Sequence, residues 1–171
     1  MVDSIGIRIK YLDTSSIVKL YLEEEGSSYF RDYFYNHTNF CTALMTFYEA
    51  MNVLKSKLFK KDQKKYYEAV TDLAIHGWGI HGCGGKIGIE PIDLNSMEIF
   101  KEVSNLSVEN NLDIADAIQI YAILKGKYSH FTRDSASALI TADEPQELAA
   151  IKNRIPVWNC RKGSKPEWLD N

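Results

Sequence analysis

Cysteine is scarce in this chain, and the few present show no pairing pattern. Cys41, Cys83 and Cys160 are odd in number and none stands in a C-x-x-C spacing. That argues against a disulfide framework or a structural zinc site and fits a reducing, cytoplasmic setting. Long hydrophobic runs are missing too. No stretch approaches the roughly 18 apolar residues that span a bilayer, so no membrane role is expected. The first residues, MVDSIGIRIKYLD, lack an apolar h-region and run straight into a strand-like segment, which leaves no signal peptide to expect. Nor is there a surplus of positive charge: the formal net charge is −3. Non-specific binding to phosphates draws on Lys and Arg, so this balance does not favour a nucleic-acid partner. It does not exclude one either, because carboxylates neutralised by a metal would leave the remaining surface neutral or slightly basic.

What is present is the composition of a globular domain, with 45% hydrophobic and 25% charged residues in 171. A chain of that length buries a core without staples. Ile5 to Asp13 reads as a strand, followed by a helix through Leu22 for which Thr14, Ser15 and Ser16 offer capping oxygens. Gly26 stops it, and Ser27 or Ser28 starts a second helix rich in aromatics. Phe40 to Leu44 is a short strand. Thr46 is placed to cap a helix whose Phe47, Met51, Leu54 and Leu58 form one apolar stripe. Another helix ends near His76, and residues 77 to 88 are glycine-rich and irregular. Then come a strand (87–92), helices (96–108 and 113–124), a strand (138–141), a helix (144–152) and a last strand (155–158). Strands alternating with helices imply βα units and a mainly parallel sheet covered on both faces, an α/β fold. No repeat or linker divides residues 1–171, so one domain is expected, with 160–171 as a polar tail.

Four carboxylates stand where a strand ends or a helix begins: Asp13 in YLDTSS, Glu49 in MTFYEAMNVL, Asp116 in LDIADAIQIYA and Asp143 in LITADE. Each has a plain structural reading. Asp13 reads as a turn or N-cap residue, although Thr14 to Ser16 can do that work. Asp113 and Asp116 resemble a capping box. Glu49 lies opposite its helix's apolar stripe and reads as solvated. Asp143, ahead of Glu144 and Pro145, reads as an N-cap. Against this, the helix bearing Asp116 is apolar nearly all round and so is buried, and a buried carboxylate without a cation is costly. In an open α/β sheet, strand ends and helix starts converge on one edge, where ligands bind. Acids gathered there repel one another unless a hard divalent ion such as Mg²⁺ lies between them. Asp134 in FTRDS ranks below Asp143, and Asp113 lower still.

Other signals carry less. Gly77 to Gly82 matches G-x-G-x-x-G, but a helix precedes it and a glycine run follows, the reverse of a dinucleotide-binding context. His76, His81 and Cys83 are three soft-metal ligands with no partner pair elsewhere, and a loop is the simpler explanation. The run KSKLFKKDQKKYY interleaves six lysines with Phe59, Tyr66 and Tyr67, which suits an edge that binds a nucleic-acid strand as well as a solvated helix face.

Taken together, YLDTSSIVKLYLEEEGS, LMTFYEAMNVL, LDIADAIQIYA and ALITADEPQELAAIKNRIPVWN resemble, in order, the acid-bearing segments of the PIN-domain nucleases. The likeness is strongest to the VapC-like toxins of prokaryotic toxin–antitoxin pairs. The resemblance covers about residues 9 to 159. It implies a three-layer α/β/α sandwich whose pocket holds Mg²⁺ or Mn²⁺ on Asp13, Glu49, Asp116 and Asp143 and cleaves RNA, leaving a 5′-phosphate and a 3′-hydroxyl. It further implies an antitoxin partner and a homodimer, with Tyr29, Tyr33 and Phe34 suited to such an interface or to an ordinary core. Thr14, Ser15 and Thr141 are candidates to orient the ligand carboxylates. The glycine-rich insert at 77–88 and the stretch KYSHFTRDSAS depart from the compact pattern and bear on specificity. A haloacid-dehalogenase reading needs an acid two residues after Asp13, where Ser15 stands. A phospho-acceptor receiver needs an acidic pair near the end of the first strand. The alternative left is a PIN-like RNA- or protein-binding module with an idle pocket.

Overall fold

The short apolar runs become five strands, β1 (Lys10–Leu12), β2 (Phe40–Ala43), β3 (Ile87–Glu90), β4 (Ala138–Thr141) and β5 (Val157–Asn159). The computed structural model describes residues 8–80, 84–130 and 136–170. All the strand pairs are parallel, in the order β3-β2-β1-β4-β5. Parallel neighbours need crossovers, and helices supply them: α1 (Thr14–Val18) and α2 (Ser27–Asn36), α3 (Leu44–Leu58) and α4 (Gln63–Trp78), α5 (Met97–Asn110) and α6 (Ile114–Lys125), and α7 (Glu144–Lys152).

Period-two alternation in the strands sorts the core into two halves. Leu12, Phe40, Ala138 and Ile140 face one side, where Ile17, Phe30, Phe34, Phe47, Leu54 and Leu73 of α1 to α4 cover them. Tyr11, Cys41, Ala43 and Leu139 face the other, under Val103, Ala117, Ile118, Ile120 and Ala149 of α5 to α7. The result is a three-layer α/β/α sandwich. Among the described residues no helix is long and apolar enough to cross a membrane.

Several boundaries differ from the sequence expectation. Regular α-geometry in α1 stops at Val18 rather than Leu22. Leu20 and Tyr21 donate to carbonyls three residues back, a tighter turn that drives Leu20 and Leu22 inward. Asp13, not a hydroxyl of Thr14 to Ser16, caps α1, accepting from the Ser15 N–H. Helix α3 begins at Leu44 directly after β2, and Thr46 is no cap: its buried hydroxyl donates into the core. Tyr33 and Phe34 are core residues packed on Phe40 and, for Tyr33, on Trp158; only Tyr29 of the expected interface aromatics is exposed. Residues 160–170 are not a loose polar tail. Cys160 and Leu169 are fully buried, Tyr33 donates a 2.7 Å hydrogen bond to Asp170, and Trp168 lies under the Arg8 guanidinium.

That returning segment sets the demand at Gly26. Its φ is +83°, and a Cβ there would sit 2.1 Å from the Cys160 carbonyl oxygen. Left-handed strain and a backbone clash that cannot relax act together, so Gly26→Ala is expected to cost about 3 kcal/mol. The check is the thermal midpoint, which should fall by about 6–12 °C; an unchanged midpoint would mean that the two backbones are not packed this way.

Candidate active site

The chain reverses its progress across the sheet beside β1, laying β2 and β3 on one side and β4 and β5 on the other. The ends of β1 and β4 therefore flank the switch point of the sheet, the usual ligand crevice of such folds. Asp13 follows β1 directly and Asp143 follows β4 by two residues. Glu49 comes in from the second turn of α3, and Asp116 from the first turn of α6. All four line one cleft of about 310 Å³, with Glu24, Asp113, Thr14, Ser15, Val18 and Val53. Among the described residues no Lys, Arg or His lines it.

Asp13 is the most enclosed of the acids, 2% exposed. Its Oδ2 accepts from the Ser15 hydroxyl at 2.5 Å, the Thr141 hydroxyl at 2.8 Å and the Ser15 N–H at 3.2 Å. Its Oδ1 takes no hydrogen bond among the described residues. The Ser15 oxygen also accepts from the Ala142 N–H, and the Thr141 oxygen from the Asp143 N–H, so the β1–α1 and β4–α7 junctions are tied together through Asp13. Glu49 accepts a 2.5 Å hydrogen bond from Thr14, whose hydroxyl also lies 3.3 Å from the Thr46 carbonyl. The three hydroxyl residues expected to orient the acids do contact them.

Burial raises the Asp13 carboxyl to about 6, even against the hydrogen bonds from Ser15 and Thr141, and Asp143 adds to the rise. Asp116 is pushed further, to about 8, by burial first and then by the charges of Asp13, Asp113, Glu49 and Asp143. One acid is buried and the other partly buried, and they face further carboxylates, the condition that a cation relieves. No protein-family model matches the chain, and no curated protein matches it. In three dimensions it is similar to the crystal structure of PAE2754 from Pyrobaculum aerophilum, with 15% identity, 86% of this chain and 85% of that chain covered, and a TM-score of 0.49.

Two glutamines that the sequence reading did not single out hold the site. Gln119, one turn beyond Asp116 and fully buried, donates to the Leu12 carbonyl at 3.0 Å and accepts from the Ala43 N–H at 2.9 Å and the Thr46 hydroxyl at 3.1 Å. It joins β1, β2 and α3 to α6 directly beneath the acids. Gln146, also fully buried, donates to Asp116 Oδ1 at 3.1 Å, while its own oxygen has no partner among the described residues. A lone amide in the otherwise apolar run AIQIYAIL, which follows Asp116, is the available signal for the first. Nothing in EPQELAA singles out the second.

The capping readings also hold, whereas Glu49 is not a freely solvated residue but is partly buried and held by Thr14. Asp143 caps α7, accepting from the Gln146 N–H, and Asp113 caps α6, accepting from the Asp116 N–H, as in the expected capping arrangement. Glu24, which the sequence did not single out, is paired with the buried Lys19 ammonium at 3.4 Å. Asp134, His81 and Cys83 lie outside the described residues. His76 pairs with Asp72 at 3.2 Å.

The donor set suits a hard divalent ion, being carboxylate and hydroxyl oxygen throughout. Among the described residues no three His, Cys, Asp or Glu side chains already form a group that could hold a metal ion. The acids share a cleft without closing on one point. Mg²⁺ keeps several waters and needs only one or two protein carboxylates, so an open arrangement is compatible with it.

Proposed function

We propose that this chain is a divalent-metal-dependent ribonuclease of the PIN type, acting on RNA phosphodiesters from the cleft at the ends of β1 and β4. The observation that supports this reading is a single cleft lined by six carboxylates and, among the described residues, no basic side chain, two of the acids being held well above the usual carboxylate range. Asp13, Glu49, Asp116 and Asp143 would hold Mg²⁺ or Mn²⁺. Such an ion lowers the pKa of bound water and offsets charge that develops at a phosphodiester.

The chain's own groups prepare that site. Ser15 and Thr141 pin Asp13 through one oxygen, and the other takes no hydrogen bond among the described residues. Thr14 fixes Glu49, and Gln146 fixes Asp116. Below about pH 8 Asp116 retains a proton, which must leave before its carboxylate can serve as a ligand. Val18 and Val53 supply an apolar wall. By the resemblance to VapC-like toxins, the reading extends to a cytoplasmic toxin that forms a homodimer and pairs with an antitoxin.

The test is RNA cleavage by the purified protein with Mg²⁺ or Mn²⁺, with EDTA, and by Asp116→Asn, which keeps the size of the side chain and removes its charge. Cleavage should vanish in EDTA and fall about 100-fold or more in the variant. Cleavage that survives the variant rejects the site. The open spacing of the acids favours the second reading, a binding module with an idle pocket. Weak Mn²⁺ binding, unchanged in Asp13→Ala, would decide for it.

A further inference from the structure

A cleft lined by acids repels the polyanion it is meant to cut, so RNA needs counter-charge elsewhere. The lysine run supplies it. Six of the chain's 20 Lys and Arg fall within residues 55–65 with only Asp62 against them, a surplus of five positive charges in a chain of net −3. All six lysines are exposed on the end of α3, the turn after it and the start of α4. Among the described residues only Lys64 has a carboxylate partner, Glu68 at 3.7 Å, itself exposed.

Position makes the charge relevant. Glu49 and Val53 line the cleft from α3. Lys57 continues the same i, i+4, i+8 stripe, Ser56, seven residues beyond Glu49, falls beside it, and Lys60 follows in the turn after α3. Asn52, Ser56, Lys57 and Lys60 are all exposed. From Glu49 to Lys57 is about 12 Å along the helix, and Lys60 follows in the turn after it, a length that a few nucleotides of an extended strand cover. At the far end Phe59, Tyr66 and Tyr67 form a ring cluster with centroids 5.3–6.3 Å apart, and Tyr67 is 59% exposed.

We propose that this face of α3 and the α3–α4 turn is the track along which a single-stranded RNA backbone reaches the acidic cleft. Lys57, Lys60 and Lys61 hold phosphates and Tyr67 offers a ring on which a base stacks. This rests on the reading of the cleft as an RNA-cutting site.

The test is binding of a fluorescein-labelled oligouridylate in EDTA, followed by anisotropy from about 50 to 200 mM NaCl. In the triple variant Lys57→Gln/Lys60→Gln/Lys61→Gln, binding at about 100 mM NaCl should weaken at least tenfold. The slope of log affinity on log salt should shrink by about 2, at about 0.7 for each phosphate no longer neutralised by a lysine. The matched triple Lys101→Gln/Lys125→Gln/Lys152→Gln, exposed on α5, α6 and α7, should keep the wild-type slope. A slope unchanged in the first triple, or reduced equally in both, overturns the track. So does polyglutamate displacing the RNA charge for charge, which would assign the face to an acidic protein. Asp116→Asn should bind like the wild type and not cut. If it still cuts, the reading of the cleft fails while the salt slopes still decide the track.

Discussion

In EDTA the thermal midpoint of this protein is expected to fall by about 10 °C as the pH rises from 5 to 8.5, and Mn²⁺ is expected to restore it. The sign follows from Asp13 and Asp116, whose carboxyls in the fold stand at about 6 and about 8 against an ordinary value of 3.8. Between those limits the folded chain binds protons that the unfolded chain has released, so stability declines with pH. The contribution is complete below about pH 4 and is lost as the pH passes through 6 and then 8. The two sites interact and the cleft is open to water, so a loss on the order of 4 kcal/mol over this window is a reasonable expectation. His76 opposes the trend. Burial lowers its pKa, so it destabilises the fold only below its ordinary 6.5 and ceases to matter above it. Asp170 and Glu147 are held below the usual carboxylate range and act only at more acidic pH. Asp116→Asn should flatten the curve above pH 6, leave the variant more stable than wild type at pH 8.5 in EDTA, and remove most of the gain from Mn²⁺. Scanning fluorimetry across pH, with and without Mn²⁺, is sufficient. A midpoint that stays level or rises from pH 5 to 8.5 would show that these acids are solvated and not confronting one another.

The same residues show what a sequence can reveal and where it stops. Strand ends and helix starts are local events, so the four acids could be placed on elements from the pattern alone, and the topology then brought them to one cleft. Whether Asp13 caps its helix was not legible, because three hydroxyl residues follow it and each can cap. The geometry resolves this: Asp13 Oδ2 accepts in the cap, and Oδ1 takes no hydrogen bond among the described residues. Burial of Tyr33 depends on β5 and on the returning 160–170 segment, which lie more than 100 residues away, and Phe34 packs on Phe40 of β2 and His76 of α4. A tail of Arg, Lys, Ser and Glu gave no reason to expect Leu169 in the core. Gln119 and Gln146 are harder still. Their partners are backbone groups and a carboxylate of remote elements; the apolar neighbours of Gln119 mark it as buried without naming those partners, and the neighbours of Gln146 mark nothing.

Gln119→Leu is expected to lower stability by about 3 kcal/mol, a fall of about 6–12 °C in the thermal midpoint, although it places an apolar side chain in an apolar layer. The loss comes from what is left behind. The Ala43 N–H has the Gln119 oxygen as its acceptor, and no water reaches a fully buried site to replace it. The Leu12 carbonyl suffers less, since the Thr42 hydroxyl also donates to it at 2.7 Å. The Thr46 hydroxyl loses its acceptor as well. On the proposed ribonuclease reading, metal-dependent cleavage should also fall, about 10-fold or more at temperatures where the variant is folded, because Leu12 precedes Asp13 and the Thr46 carbonyl meets the Thr14 hydroxyl that holds Glu49. Gln119→Glu separates hydrogen bonding from packing. Its carboxyl can still accept from Ala43 and Thr46, but it must carry a proton to donate to the Leu12 carbonyl beneath an acidic cleft. Its pKa in the fold is therefore raised. The variant should approach wild-type stability near pH 5 and lose it as the pH rises, while the deficit of Gln119→Leu changes little with pH relative to wild type. If Gln119→Leu unfolded at the wild-type midpoint, the amide would not be the joint between β1, β2, α3 and α6, and the order of the acids above it would need another cause.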